Sequence, residues 1–290
     1  MEKYITLKEN RKFRDMSTYF PDVVFSTATG VELRMQLVLP RETDVKHPVL
    51  VFLQGSGWTH PKNVYPKMAM FTDFAQRGIG VAMITHRDRN DGYPAPAFLE
   101  DSKTAVRFLR ANADKYCIDK DKIYFGGSSS GGNTALLMGQ TGDDARYKTA
   151  EYAEESDAVS GIVAVCGPAD MFRFAAHIRG TDDWMKNEFC TSFCGKDTTL
   201  EERIAILEAM SPERVFKEKR VMQPTLFVHG DEDRVVLPIE SESMLKTLEE
   251  AGCECYYVNV EGAKHDGDGV WSRALYDIIF DFILGLTNKG

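Results

Sequence analysis

The residues best placed to do chemistry lie in K-I-Y-F-G-G-S-S-S-G-G-N-T-A-L-L-M, where positions 127–131 read G-S-S-S-G around Ser129. A serine at the centre of G-x-S-x-G, with an apolar strand-like run before it and a helical pattern after it, is the arrangement of a nucleophile elbow. Such a serine sits on a strained strand-to-helix turn. Side chains at the flanking positions would collide with neighbouring backbone, and Gly127, Gly131 and Gly132 leave the room. The helix that follows aims its positive N-terminus at the same place. Ser128 and Ser130 each lack a glycine on one side of the spacing, so the frame selects Ser129.

A serine hydroxyl is a poor nucleophile until a base takes its proton, so a histidine oriented by a carboxylate must accompany it. In elbow enzymes the chain order is serine, acid, histidine. His47, His60 and His86 precede Ser129, His177 lies in an irregular stretch, and His229 closes a strand before any acid loop. His265, in E-G-A-K-H-D-G-D-G, follows the last strand-like run and is expected to be the base. The acid belongs after the penultimate strand, in T-L-F-V-H-G-D-E-D-R-V-V, where the residue types alone do not rank Asp231, Glu232 and Asp233. Acyl transfer also needs N–H donors for a tetrahedral oxyanion. One is the amide of Ser130; others are expected from V-L-V-F-L-Q-G-S-G-W at 49–58, where Gly55 and Gly57 let the backbone turn its amides inward.

These residues need a scaffold, and the hydrophobic patterning supplies one. V-E-L-R-M-Q-L-V-L at 31–39 alternates like a half-exposed antiparallel strand, and Thr29-Gly30 turns it back on the 23–26 segment to make an opening hairpin. Short apolar bursts at 48–53, 79–85, 122–126, 161–166, 225–229 and 255–260 read as strands covered on both faces. Between them run helical patterns at 65–77, 96–116, 130–140, 238–251 and 270–286. The alternation predicts an α/β fold, a mostly parallel central sheet with helices on both faces and ligands at the carboxyl ends of its strands. Residues 171–216 break the rhythm, with a helix at 200–210 and no strand, and are expected to form a cap-like insertion over the sheet's edge. Without repeats or linkers, residues 1–290 are expected to form a single domain.

Composition narrows the function classes. The 290 residues are 43% hydrophobic and 27% charged, enough apolar surface for a core and too little charge for disorder. With 35 Lys and Arg against 44 Asp and Glu, a net charge of −9 and no basic block, nucleic acid is not an expected partner. The N-terminal residues mix charge into every apolar stretch, and no run approaches the ~18 residues of a spanning helix, so a cytoplasmic protein without a membrane partner is expected. In that compartment the six cysteines stay thiols. Cys190, Cys194, Cys253 and Cys255 lack a C-x-x-C knuckle, so neither a metal nor a cofactor is expected. The sequence leaves the oligomeric state open, a homo-oligomer included.

A family resemblance rests on the same segments. Q-G-S-G-W resembles the H-G-G-G-W oxyanion loop of bacterial α/β-hydrolases. The stretch from T-H-R-D-R-N to the elbow is similar to the corresponding region of the branch containing bifunctional feruloyl and acetyl xylan esterases and hormone-sensitive-lipase-like carboxylesterases. C-G-P-A-D-M resembles its G-P-x-D segment, and H-G-D-E-D-R-V-V its H-G-x-x-D-x-x-V acid loop. The likeness runs from about Val23 to the C-terminus and fails mainly across the insertion. It implies the α/β-hydrolase fold, with Ser129 as nucleophile, Asp233 as acid, His265 as base, and Ser56, Gly57 and Ser130 as oxyanion donors. Gln54, Ser56 and His86 depart from the family's usual histidine, glycine and tyrosine.

The resemblance further implies a serine carboxylesterase for short-chain, acetyl or hydroxycinnamoyl esters. Its substrate would be a small-molecule ester or an acylated, plant-derived oligosaccharide. Trp58 and Trp184 are expected to face it. The insertion also carries Phe172, Phe174, Phe189 and Phe193, which either wall a pocket or pack the insertion down. Two other readings remain at this level: a peptidase or amidase resembling the prolyl oligopeptidase catalytic domain, and a catalytically silent hydrolase fold that only binds.

Overall fold

A computed structural model describes residues 4–59, 68–179, 186–267 and 269–285. Its centre is an eight-stranded sheet in the order β1-β2-β4-β3-β5-β6-β7-β8. The hairpin comes first: β1 (Ser17–Ser26) and β2 (Leu33–Pro40) pair antiparallel, and β2 joins the rest antiparallel to β4 (Gly80–Ile84). Strands β3 (His47–Leu53), β5 (Ile118–Ser128), β6 (Ile162–Val165), β7 (Thr225–Gly230) and β8 (Cys255–Val260) are all parallel to their neighbours. This is the mostly parallel α/β sheet expected from the pattern, and the α/β-hydrolase architecture that the resemblance implies. Strand β1 begins six residues before the predicted 23–26 segment, because Pro21 and Asp22 sit in a register shift between Phe20 and Val23 that an edge strand tolerates.

Alternating side chains of the buried strands feed two cores. Val49, Val51 and Leu53 of β3 face a layer containing α2 (Ala97–Ala111), α3 (Ser130–Gln140) and α8 (Ile239–Glu250). Leu50 and Phe52 face the opposite layer, where α1 (Met68–Gln76) and α9 (Arg273–Ile283) contribute Phe71, Phe74, Leu275 and Ile279. Both faces being covered explains why these strands read as unbroken apolar runs. Among the described residues no helix is long and apolar enough to cross a membrane.

Among the described residues the insertion holds four helices where one is expected: α4 (Met171–Arg179), α5 (Glu188–Cys194), α6 (Leu200–Ala209) and α7 (Pro212–Lys219). Thr199 and Glu202 close a capping box on α6, and Asn187 caps α5 through the amide of Cys190. The insertion does not lie over the sheet's edge. Phe174, Phe189 and Phe193 pack onto Trp58 beyond central strand β3, and the Asn133 side chain of α3 donates to the carbonyls of Pro168 and Met210. It therefore roofs the loops at the carboxyl ends of the central strands.

Candidate active site

Ser129 stands between β5 and α3 with φ 53° and ψ −120°, a conformation L-residues adopt only when their surroundings impose it. The glycines explain how. A Cβ on Gly127 would lie 2.3 Å from the carbonyl oxygen of Gly131, and one on Gly131 would lie 1.9 Å from that of Leu53. A Cβ on Gly132 would come within 2.8 Å of Gly167 Cα. The Ser129 amide donates to Val165 of β6 at 2.8 Å, and Asn133 closes the first helical turn on the Ser129 carbonyl. Strand, turn and helix thus meet at distances only glycine allows, leaving the Ser129 hydroxyl standing above the sheet.

That hydroxyl has an imidazole partner. His265 Nε2 lies 2.9 Å from Ser129 Oγ, and His265 Nδ1 donates to Asp233 Oδ2 at 2.7 Å. With Nδ1–H facing the carboxylate, Nε2 is left to accept the serine proton. Asp233 follows β7 and is almost fully buried; its Oδ1 accepts from the amides of Val235 and Val236 at 2.9 and 3.0 Å. Burial alone would raise its carboxyl, but hydrogen bonds from His229 and His265, with the attraction of the His265 ring, hold it well below the usual carboxylate range. Asp231 is exposed and accepts the amide of Gly262, and Glu232 is also exposed. Geometry thus separates three carboxylates that residue types did not rank. A hydroxyl, imidazole and ionised carboxylate in line can move a proton from oxygen to ring nitrogen while keeping the resulting positive charge paired.

Several supports were not legible in the sequence. His229, at the end of β7, donates Nε2–H to the Val236 carbonyl and accepts from Ser241 at Nδ1, with Nε2 3.4 Å from Asp233 Oδ2. It braces the acid rather than acting as a base. Ser128 accepts the Gly55 amide at 3.1 Å and donates to Asp266 at 2.8 Å, and Trp271 Nε1 donates to the other Asp266 oxygen. One serine hydroxyl therefore ties the loop after β3 to the loop carrying His265. Of these positions the G-x-S-x-G frame contains only Ser128, and it says nothing about what a flanking hydroxyl binds.

The loop after β3 is pressed against the elbow, since a Cβ on Gly55 would lie 2.5 Å from Ser129 Cβ. Ser56 departs from expectation. Its amide donates to Ser130 Oγ at 3.0 Å and so is already engaged. Gly57, at φ 63°, has an amide with no acceptor among the described residues, and the Ser130 amide belongs to the first helical turn, which has no partner within the helix. Trp58 departs further: it is only 2% exposed, wedged among Phe98, Phe174, Phe189 and Phe193, and is an anchor of the core rather than a substrate-facing ring. The insertion's phenylalanines that wedge it are likewise packed down. Trp184 lies outside the described residues.

Among the described residues one group of metal-ligating types comes together: Cys166, Asp233 and His265 have ligand atoms within 4.8 Å of one another. Burial pushes the Cys166 thiol well above its ordinary range, and the other two are hydrogen bonded to each other, so the donor set suits a neutral thiol beside a proton relay.

The chain is similar to several known proteins. Esterase LipC of Mycobacterium tuberculosis is 27% identical over 223 residues, 76% of this chain and 53% of LipC. Endo-1,4-beta-xylanase B of Butyrivibrio fibrisolvens is 26% identical over 200 residues, 68% of this chain and 29% of the xylanase. The chain spans about half, or less, of the length of these curated relatives. A solved truncated form of a carbohydrate esterase from gut microbiota superposes with a TM-score of 0.78 at 25% identity, covering 96% of this chain and 99% of that one. The BD-FAE family model matches residues 35–248, a span that includes the loop after β3, the elbow and Asp233, and the chain belongs to the BD-FAE family.

Proposed function

We propose that the chain is a serine carboxylesterase in which Ser129 attacks an ester carbonyl, His265 takes the serine proton and Asp233 holds the imidazole. The observation that carries this reading is the unbroken relay from Asp233 through His265 to Ser129, at 2.7 and 2.9 Å, on a strained elbow. The tetrahedral oxyanion would be held by amides of the loop after β3 and of Ser130. Its collapse expels the alcohol, protonated by His265, and leaves an acyl-enzyme. Water, deprotonated by the same imidazole, then releases the acid and restores Ser129.

The substrate class we propose is a short acyl or hydroxycinnamoyl ester of a carbohydrate. Two relatives support it by name, a carbohydrate esterase and a xylanase. The roof over the central strands favours small acyl groups, because Phe174, Phe189 and Phe193 fill the space beside Trp58 that a long chain would need. The test is a hydrolysis panel of p-nitrophenyl acetate to decanoate, acetylated xylo-oligosaccharides, methyl ferulate and a proline anilide, run on the parent and on Ser129→Ala. Ester turnover that disappears in Ser129→Ala, with acetate and butyrate preferred over decanoate, is expected. Undiminished turnover in Ser129→Ala overturns the assignment, decanoate preference overturns the small pocket, and anilide cleavage without ester cleavage moves the chain to the peptidases.

A further inference from the structure

We propose that Arg89 is a positioning residue for the loop after β3, fixing the amide of Trp58 toward the elbow and coupling that loop to helix α5 of the insertion. The inference rests on the esterase reading above and extends it to a residue outside the expected site.

The amides of this loop fall into two sets. Those of Gly55 and Ser56 are consumed by the hydroxyls of Ser128 and Ser130, while those of Gly57 and Trp58 have no acceptor among the described residues. The carbonyls of Ser56, Gly57 and Trp58 are held. The Ser56 carbonyl accepts from the amide and hydroxyl of Thr59 at 3.2 and 2.8 Å. The Gly57 carbonyl accepts from Arg89 Nε at 2.9 Å, and the Trp58 carbonyl from the Arg89 amide at 3.2 Å. Because a trans peptide is planar, a carbonyl and the N–H that follows it point in opposite directions. Holding the Ser56 carbonyl therefore aims the Gly57 amide, and holding the Gly57 carbonyl aims the Trp58 amide away from Arg89. The loop's other side is the elbow, where Gly55 touches Ser129 and Ser56 is bonded to Ser130.

Two consecutive left-handed residues, Gly57 at φ 63° and Trp58 at φ 60°, need such restraint. Arg89 supplies it from a fixed base. Its Nη1 bonds to Ser192 of α5, its guanidinium lies 5.1 Å over the ring of Phe189, and the Asp88 carboxylate caps the turn that carries it. Phe189 in turn packs on Trp58. A guanidinium can meet the loop and the insertion at once because its donors are spread over a rigid plane; a lysine ammonium is a single point.

The test compares p-nitrophenyl acetate kinetics and thermal melting of the parent, Arg89→Ala, Arg89→Lys, Ser192→Ala and Ser129→Ala. In Arg89→Ala, kcat is expected to fall roughly 10- to 100-fold, less than the hundred- to thousandfold cost of losing one oxyanion donor outright. KM should change far less, since the donors act on the transition state. Arg89→Lys should stay well below the parent, and Ser192→Ala, which keeps the Gly57 contact, should lose little. Guanidinium ion at concentrations far below denaturing should partly restore kcat in Arg89→Ala, and sodium chloride at equal ionic strength should not. A kcat for Arg89→Ala within about twofold of the parent overturns the proposal, as does a loss that merely follows unfolding and is not rescued. Should Arg89→Ala fail to fold, Arg89→Lys decides: lowered kcat at unchanged KM supports the proposal, and parental kcat overturns it. An inactive Ser129→Ala beside fully active Arg89 variants sinks this inference alone; an active Ser129→Ala sinks the esterase reading beneath it.

Discussion

Asp231 and Asp233 sit two residues apart in one turn, yet only Asp233 is buried, with both oxygens occupied by donors. Asp233→Asn should therefore slow ester hydrolysis by roughly three to four orders of magnitude, the scale seen when a triad acid loses its charge. Asp231→Asn, which alters only a solvent-facing bond to the Gly262 amide, should leave kcat nearly unchanged. Equal losses at the two positions would contradict this division. The pH profile follows from the same contacts. The rate should fall toward acid because an imidazolium cannot accept the serine proton. Asp233, held below the usual carboxylate range, stays ionised where an ordinary aspartate would take up a proton, so the acid limb should keep unit slope through about pH 4 rather than steepen there. A slope of two would mean the carboxylate titrates there. The depressed carboxyl also stabilises the fold above its unfolded value of about 4, and this is lost as pH falls through the lower folded value. Any stability gap between parent and Asp233→Asn at neutral pH should accordingly narrow in strong acid.

At the scale of elements, the elbow is the tightest joint. Gly131→Ala places a methyl 1.9 Å from the Leu53 carbonyl, which is backbone and cannot rotate away. It should cost more than the ~1–3 kcal/mol of ordinary overpacking and remove activity along with stability, both readable from a urea titration beside an ester assay. Trp58→Ala should cost about 3–5 kcal/mol by opening a hole among four phenylalanines. Little change in its unfolding midpoint would mean the ring is not a core anchor. The two positions show what was readable from sequence. A strand, a glycine frame and a helix are contiguous, so the elbow was legible, as were the parallel strands whose apolar runs record burial on both faces. Trp58 was not, because its neighbours come from residues 98, 174, 189 and 193, and a local reading cannot see a roof assembled from distant helices. The same limit hid the start of β5, where the apolar burst begins only at 122 although the strand begins at Ile118. It also hid α4, α5 and α7, at seven to nine residues too short for a clear period.

Across the whole molecule, the fold that carries the site depends on charges buried far from it. Lys103 and Arg107 project from α2 into the interior, both fully buried, and meet Asp157 at 2.6 and 2.9 Å. Asp157 also accepts the Asp143 amide at 2.9 Å, and Lys103 reaches the carbonyl of Thr141, the residue that ends α3. Since α3 starts immediately after Ser129, this cluster clamps the far end of the helix that carries the elbow. Burial pushes the Lys103 ammonium down and Asp157 opposes it, so removing the carboxylate leaves two buried cations without the anion they share. Breaking a buried pair in this way should cost about 3–5 kcal/mol, whereas exposed pairs contribute little. Asp157→Ala is therefore expected to lower the unfolding midpoint sharply, while Lys46→Ala, which breaks the surface pair with Asp114, should not move it measurably. The folded fraction of Asp157→Ala should retain kcat on p-nitrophenyl acetate when assayed well below its melting temperature, because Ser129, His265 and the loop after β3 keep all their own contacts. Denaturation followed by circular dichroism, paired with active-site titration of the folded protein, separates the two effects. A kcat loss at full folding would mean the clamp on α3 is felt at the nucleophile, and an unchanged midpoint would mean that the three charges are not buried together as described.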